Sequence, residues 1–284
     1  MSLDKSRLGR FSHIPTKSRF GLAAGTLALA SLAAIGCGPV AEEDAATTQQ
    51  EIGLAREVRA TFRNCIEFGG VGVVPAANVQ HLVPSQYTLS PGPPGLAIAV
   101  AHMAKCQEIK VGDWVGHPGL MGHLGVLINP PTGTGNFNNY LFAHVTDDPV
   151  LFASLKAAGL QATYINPQQR FDVLGSGSST SLSAAAQRPR ELGFTLSGPF
   201  VLPDASQPPG TNLINYWTDS RRAGNAVLEY NISGLRVQPA PTVVLDAVGA
   251  DLQAIVGGTQ LSFPFFAAAE SFESTTLTFR PNAF

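Results

Sequence analysis

The sequence predicts a mainly β fold of the α+β class: a large curved antiparallel sheet, or a barrel, carrying about three short helices. Three observations predict it. Apolar residues fall in short strand-like runs separated by Gly, Pro, Asn and Ser turns. Some of these runs are apolar on both faces. In residues 96–106, Ile98, Val100 and His102 alternate with Ala99, Ala101, Met103 and Lys105, the pattern of a central strand or of one wall of a closed sheet. Only three segments carry helix start or stop signals.

Taken in order, residues 62–74 form a strand-rich stretch interrupted at Gly69 and Gly70, where a bend or bulge is expected. Pro75 opens a short helix over 76–83 and Pro84 closes it, because proline suits the first helical turn and cannot continue the last. Residues 87–89 and 96–106 are strands flanking the turn 90–95. A strand over 121–129 and a loop over 130–136 lead to a strand over 139–146, with Tyr140, Phe142 and His144 on one face and Leu141, Ala143 and Val145 on the other.

The clearest helix follows. Asp148 can accept hydrogen bonds from its first free amides, Pro149 fits its first turn and Gly159 can adopt the left-handed stop. Leu151, Leu155 and Ala158 form its apolar stripe and Lys156 its wet side. The Gly/Ser/Ala-rich run 175–187 reads as a flexible surface loop. Strands resume at 192–197, 213–218, 226–232 and 235–237. A third helix over 250–256 ends at Gly257 and Gly258, and strands over 261–266 and 274–279 close the chain.

Ahead of this body lies a different kind of segment. Lys5, Arg7, Arg10, Lys17 and Arg19 precede an uncharged, Ala- and Leu-rich stretch over 21–36. A basic region followed by a short apolar one is the pattern of a secretory signal peptide, and it is short for a bilayer span of about 20 residues. Ala34-Ile35-Gly36-Cys37 resembles the lipobox of bacterial lipoproteins, although Ala34 stands where leucine is more usual. The resemblance implies cleavage before Cys37 and its acylation, with membrane lipid as the partner. Gly38 in place of Asp leans toward the outer membrane or cell surface. Residues 38–55, with Glu42, Glu43 and Asp44 among Ala, Thr and Gln, read as a flexible tether. The organisation expected is a leader over 1–36, an anchor and tether over 37–55 and a single β-rich body over 56–284.

Removing the leader takes away five of 18 basic and one of 20 acidic residues, leaving a formal charge of −6. A charge-poor, mildly acidic body has no electrostatic footprint for nucleic acid. With Cys37 assigned to the anchor, Cys65 and Cys106 remain as an even pair in an exported chain. A disulfide is the favoured reading there, two buried thiols the alternative.

Three segments of the body resemble the acetoacetate decarboxylase-like superfamily. They are Val74-Pro75 through Leu82-Val83-Pro84-Ser85-Gln86-Tyr87, the strand from Ala97 to Cys106, and the strand and helix from Asn139-Tyr140 to Gly159. Together they cover less than half of the mature chain. The resemblance implies a cone-shaped antiparallel barrel enclosing a ligand pocket. It also exposes a departure, because decarboxylases of that family form a Schiff base on a lysine whose pKa a second lysine lowers. The mature chain has only Lys105, Lys110 and Lys156, and no adjacent pair.

No nucleophile elbow, phosphate loop or spaced metal-ligand motif is present, and no cofactor is expected. What remains is a set of strand histidines. If their faces point inward, His102, His123 and His144 converge with Glu67, and Tyr140 shares the face of His144. These five are the candidate pocket residues, and the histidines with Glu67 read as a metal-ligand set, an acid–base pair or polar ligand contacts, although no spacing supports the metal. Hydrogen-bonded core or rim histidines are the plainer reading. The leading functional expectation is a membrane-anchored lipoprotein whose barrel binds a small apolar or amphipathic molecule. The alternatives are an enzyme on the same scaffold acting on a small carbonyl or carboxylate compound through Glu67 and a histidine, and a surface structural or interaction protein.

Overall fold

The computed structural model describes residues 56–284, apart from 131, 133, 161, 165–169, 176–179, 187–192, 221, 265 and 284. The leader, Cys37 and the tether lie outside the described residues.

Seven strands close on one another. They are β1 (Val58–Pro75), β3 (Leu96–Val111), β4 (His117–Asn129), β5 (Phe137–Thr146), β10 (Gly210–Ser220), β11 (Gly224–Pro239) and β14 (Phe266–Arg280). Hydrogen bonding runs β4-β3-β1-β14-β11-β10-β5, and β5 returns to β4, so the ring has no free edge. The short β2 (Thr88–Leu89) extends the sheet from β4, and β6 (Ala162–Tyr164) extends it from β5. A separate five-stranded sheet runs β13 (Gln260–Ser262), β12 (Val244–Val248), β9 (Gly193–Pro199), β8 (Ser181–Ala186) and β7 (Arg170–Leu174). Three helices complete the body: α1 (Ala76–Val79), α2 (Pro149–Ala158) and α3 (Ala250–Val256).

Within the ring, six of the seven pairings are antiparallel, and β5 joins β10 in parallel. The segment entering β5 is laid along β10 by three hydrogen bonds: Asn136 N–H to Leu213 O at 2.7 Å, Leu213 N–H to Asn136 Oδ1 at 2.9 Å and Asn215 Nδ2 to Thr134 O at 2.7 Å. β5 therefore starts beside β10 pointing the same way, and an all-antiparallel sheet is excluded at this seam.

α2 forms as its signals predict. Asp148 Oδ1 accepts from Leu151 N–H at 2.7 Å, Pro149 occupies the first turn, and Gly159 takes φ 103° at the stop. Leu151, Leu155 and Ala158 are its buried face. Other elements differ from expectation. α1 ends at Val79, a single turn. The strands expected over 226–232 and 235–237 are one strand, β11, which passes through Gly234 at φ 70°. The expected surface loop over 175–187 contains β8, paired with β7 and β9. Its buried Leu182 and Ala184 alternate with serines, a period-2 signal that the small-residue composition conceals.

Two cores result. One joins the ring to the second sheet and brings Phe68, Ala99 and Met103 together with Phe194, Leu196 and Leu245. The other fills the ring interior with Phe62, Ala104, Met121, Leu141, Leu228 and Leu277, and α2 adds Leu151 and Leu155. Each fully buried large side chain contributes about 1.5–3 kcal/mol. β1 changes phase at Asn64, which takes φ 48°: Ala60 and Phe62 are buried before it, Cys65 and Glu67 after it. Such an irregularity bends a strand and re-aims its side chains.

Gly69 and Gly70 do not break β1. They allow close approach: a Cβ on Gly69 would stand 2.6 Å from His102 Cβ, and one on Gly70 2.7 Å from Phe263 Cβ.

Cys65 and Cys106 are directly opposed on β1 and β3 and form a disulfide. Both are buried. With a sequence separation of 41 residues, chain entropy alone makes the link worth about 4 kcal/mol. The Cys65→Ala/Cys106→Ala double variant is expected to lose about that much in urea unfolding without a change of fold. An unfolding midpoint equal to that of the parent would contradict this.

Candidate functional site

Strand register builds the site. His102 on β3 lies directly opposite His123 on β4, and His123 lies directly opposite His144 on β5. Glu67 on β1 pairs with Ala104 and so sits diagonal to His102, within reach of a long side chain. Gly69, opposite His102, leaves room for the imidazole at the β1–β3 seam. A buried row thus runs Glu67, His102, His123, His144 across four neighbouring strands.

The row is held by close contacts between facing polar atoms. His102 Nδ1 is 2.9 Å from Glu67 Oε1, a close pair that is not aligned as a hydrogen bond. His123 Nδ1 is 2.9 Å from His102 Nε2 and His144 Nδ1 is 2.8 Å from His123 Nε2, each pair of nitrogens sharing one proton whose side the tautomer sets. Two tyrosines from the opposite wall complete the network. Tyr216 Oη meets His102 Nε2, and Tyr230 Oη meets His123 Nε2 at 3.0 Å, each hydroxyl sharing a nitrogen that the next ring also faces. The rings also stack, with His102 and His123 centroids 4.7 Å apart and His123 and Tyr216 4.4 Å apart. The row ends at His144 Nε2, which is buried without a hydrogen-bond partner. Because the nitrogens face one another in sequence, the histidines form a chain and do not converge on a shared coordination centre.

Burial sets the protonation states. Desolvation first, then the neighbouring His102 and His144, push His123 well below the usual imidazole range. Desolvation and His102 push His144 down to about 3. Burial and the Glu67 charge hold both tyrosine hydroxyls well above their usual range. Glu270 on β14 is the cross-strand partner of Glu67. Desolvation, then repulsion from Glu67, push it up to about 8. At neutral pH His123, His144 and both tyrosines are neutral, and Glu270 keeps its proton.

This network forms part of the wall of a cavity of about 340 Å³. Glu67, His102, Tyr216, Glu270, Asn139 and Asn212 supply its polar edge; Val100, Leu127, Ile214 and Phe266 are among its apolar residues. No lysine or arginine lies among its described lining residues. A second, more open groove of about 560 Å³ passes over the disulfide and is lined in part by Lys105 and Arg236.

Of the five residues expected from sequence, Glu67, His102, His123 and His144 meet here. Tyr140 does not. The β4–β5 register shifts between Leu124 and Gly125: Ala143 pairs with Leu124 and Leu141 with Gly125, so Phe142 is an extra residue. That bulge reverses the phase, and Tyr140 packs instead against Tyr87, with ring centroids 5.4 Å apart. Sequence reasoning missed Tyr216, Tyr230, Glu270 and Asn139. The first two stand on runs recognised as strands, but no spacing signals that their hydroxyls cross the ring interior. Glu270 falls in a stretch not assigned as a strand.

No family model and no curated protein matches the chain. Solved structures similar to it include an acetoacetate decarboxylase from Legionella pneumophila, at 9% identity and TM-score 0.48 over 78% of this chain and 85% of that one. The enduracididine biosynthesis enzyme MppR is similar at 12% identity and TM-score 0.46, over 86% and 94%. An acetoacetate decarboxylase-like enzyme from Sphingomonas wittichii is similar at 11% identity and TM-score 0.47, over 79% and 91%.

The pH dependence of stability follows from these groups. Folded Glu270, at about 8 against an ordinary 4.5, binds more protons than the unfolded chain between those values, so its contribution to stability falls as pH rises through that window. His123 and His144 act oppositely: their contribution falls as pH drops below 6.5, where unfolded imidazoles take up protons. Between pH 6.5 and 8 the Glu270 effect is expected to make the parent lose stability relative to Glu270→Gln. Parallel urea midpoints for the two proteins across that range would contradict this.

Proposed function

We propose that this chain is an exported lipoprotein, held by acylated Cys37 at the outer membrane or cell surface, whose barrel cavity performs acid–base chemistry on a small, largely apolar molecule. The observation that carries the acid–base reading is the placement of Glu67 and Glu270 side by side at the cavity, one backed by the histidine chain and the other kept protonated. Two carboxyl groups whose surroundings push their protonation apart suit the roles of base and acid. Glu67, with Oε1 2.9 Å from His102 Nδ1, is the base. Glu270, neutral until about pH 8, is the acid. His123, His144 and the two tyrosines position His102 beside the carboxylate.

The lining also narrows the substrate. A Schiff-base route has no lysine among the described cavity residues. A carboxylate substrate would meet two glutamates and no described cation, so of the carbonyl and carboxylate compounds expected from sequence the uncharged carbonyl is favoured. The apolar remainder of the cavity also suits a retained ligand without turnover, the reading led by composition.

These readings separate in one experiment. The full chain in detergent, incubated in D₂O with a panel of small ketones and aldehydes, is expected to catalyse deuterium exchange beside the carbonyl. Glu67→Gln is expected to lower the rate by about 100-fold or more. A variant as fast as the parent removes Glu67 from the chemistry, and a parent with no exchange leaves the binding reading. For the anchor, Cys37→Ser is expected to move the protein out of the membrane fraction; retention there would refute lipidation as the tether.

A further inference from the structure

The cavity is rich in hydrogen-bond acceptors, with the half-buried amide of Asn212 on β10 also on its wall. Glu67 on β1 and Glu270 on β14 are acceptors when ionised. On β5, Asn139 is only 1% exposed, lines the cavity, and its Oδ1 has no hydrogen-bond partner. A buried acceptor left unsatisfied is costly unless something supplies a donor. The other titratable groups at the cavity are His102 on β3 and Tyr216 on β10. Tyr216 Oη is engaged with His102 Nε2, and His102 Nδ1 lies 2.9 Å from Glu67 Oε1. Nearby cations are directed elsewhere: Arg236 pairs with Glu273 at 3.3 Å, and Lys105 is exposed beside the second groove.

We infer that the polar end of the molecule received here is a primary ammonium group, seated among Glu67, Glu270 and Asn139 Oδ1, with an alkyl or aryl body against Val100, Leu127 and Phe266. An ammonium has three N–H donors and no acceptor, which matches three acceptors from three strands. A hydroxyl brings a single donor, and a carboxylate brings only acceptors and a charge of the wrong sign. The inference rests on the reading of this cavity as the ligand site; the amine is a retained ligand there and not the carbonyl substrate, since an ammonium that ionises Glu270 removes its role as acid. It also balances in protons. An arriving ammonium favours ionised Glu270, so Glu270 gives its proton to solvent as the ligand binds, and no bond in the ligand breaks. Affinity for the ammonium therefore rises with pH until the ligand's own amine deprotonates.

The test is calorimetry on the full chain in detergent, using butylamine, hexylamine and phenethylamine against pentanoate and pentanol. The amines are expected to bind at least about tenfold more tightly than pentanol, with pentanoate not binding. Repeating the titration near pH 7 in buffers of different ionisation enthalpy is expected to reveal proton release. Glu270→Gln is expected to abolish that release and weaken amine binding by about tenfold or more. Asn139→Leu is expected to weaken the amine more than the alcohol. Absence of amine binding, or pentanoate binding as tightly as the amines, overturns the inference, and both are read on the parent protein without reliance on a variant folding. If deuterium exchange persists while the amines fail, the ammonium reading falls and the acid–base reading stands. If the amines bind and no exchange occurs, the ammonium reading stands and the acid–base reading falls.

Discussion

Closure of the seven-stranded ring is the constraint on which the rest of the molecule depends. Because β5 pairs with β4 on one side and β10 on the other, side chains from β10 and β11 face those from β3 and β4 across a shared interior. That is how Tyr216 reaches His102 and Tyr230 reaches His123. In an open sheet the same histidines would lie along one face with their nitrogens in water. The disulfide between β1 and β3 ties the wall that carries Glu67 to the wall that carries His102.

The interior is polar at considerable cost, and its hydrogen bonds show how that cost is met. Three imidazoles buried without partners would be strongly unfavourable. Here each contact between neighbouring imidazoles pairs a donor with an acceptor, and each tyrosine hydroxyl shares a nitrogen that another ring already engages. Burial then holds His123 and His144 neutral, which removes the larger cost of buried charge. Three atoms of the network and cavity have no aligned partner: His102 Nδ1 beside Glu67, His144 Nε2 at the end of the row, and Asn139 Oδ1 at the cavity. A stacked network with few free positions fixes the orientation of His102, and through it the carboxylate that faces the cavity.

Much of the fold is legible locally. The helix at Pro149–Ala158 announces itself through Asp148, Pro149 and Gly159, because capping chemistry is local. The two-faced strand around His102 is legible because alternation has period 2. Sequence and structure part where composition or a bulge overrides that period. Ser181–Ala186 resembles a loop because its side chains are small, although Leu182 and Ala184 alternate inward. Counting alternation through Phe142 puts Tyr140 with His144, but the register shifts at that residue. Glu67 and the three histidines can be nominated as inward-facing. Their order, spacing and contacts cannot, since each depends on which residues are opposed across strands far apart in the chain.

Local features are written in the chain itself: strands that alternate, one well-capped helix, an even cysteine pair, the lack of a lysine pair, and the leader pattern before Cys37. They occupy short spans, where period, capping and composition act directly on neighbouring residues. Other features exist only once the ring has closed. Glu270 stands beside Glu67, Tyr216 and Tyr230 close the histidine row, β5 and β10 meet in parallel, and Tyr140 turns away. Those are consequences of register and closure, and a one-residue slip in either would send every one of these side chains to the opposite face.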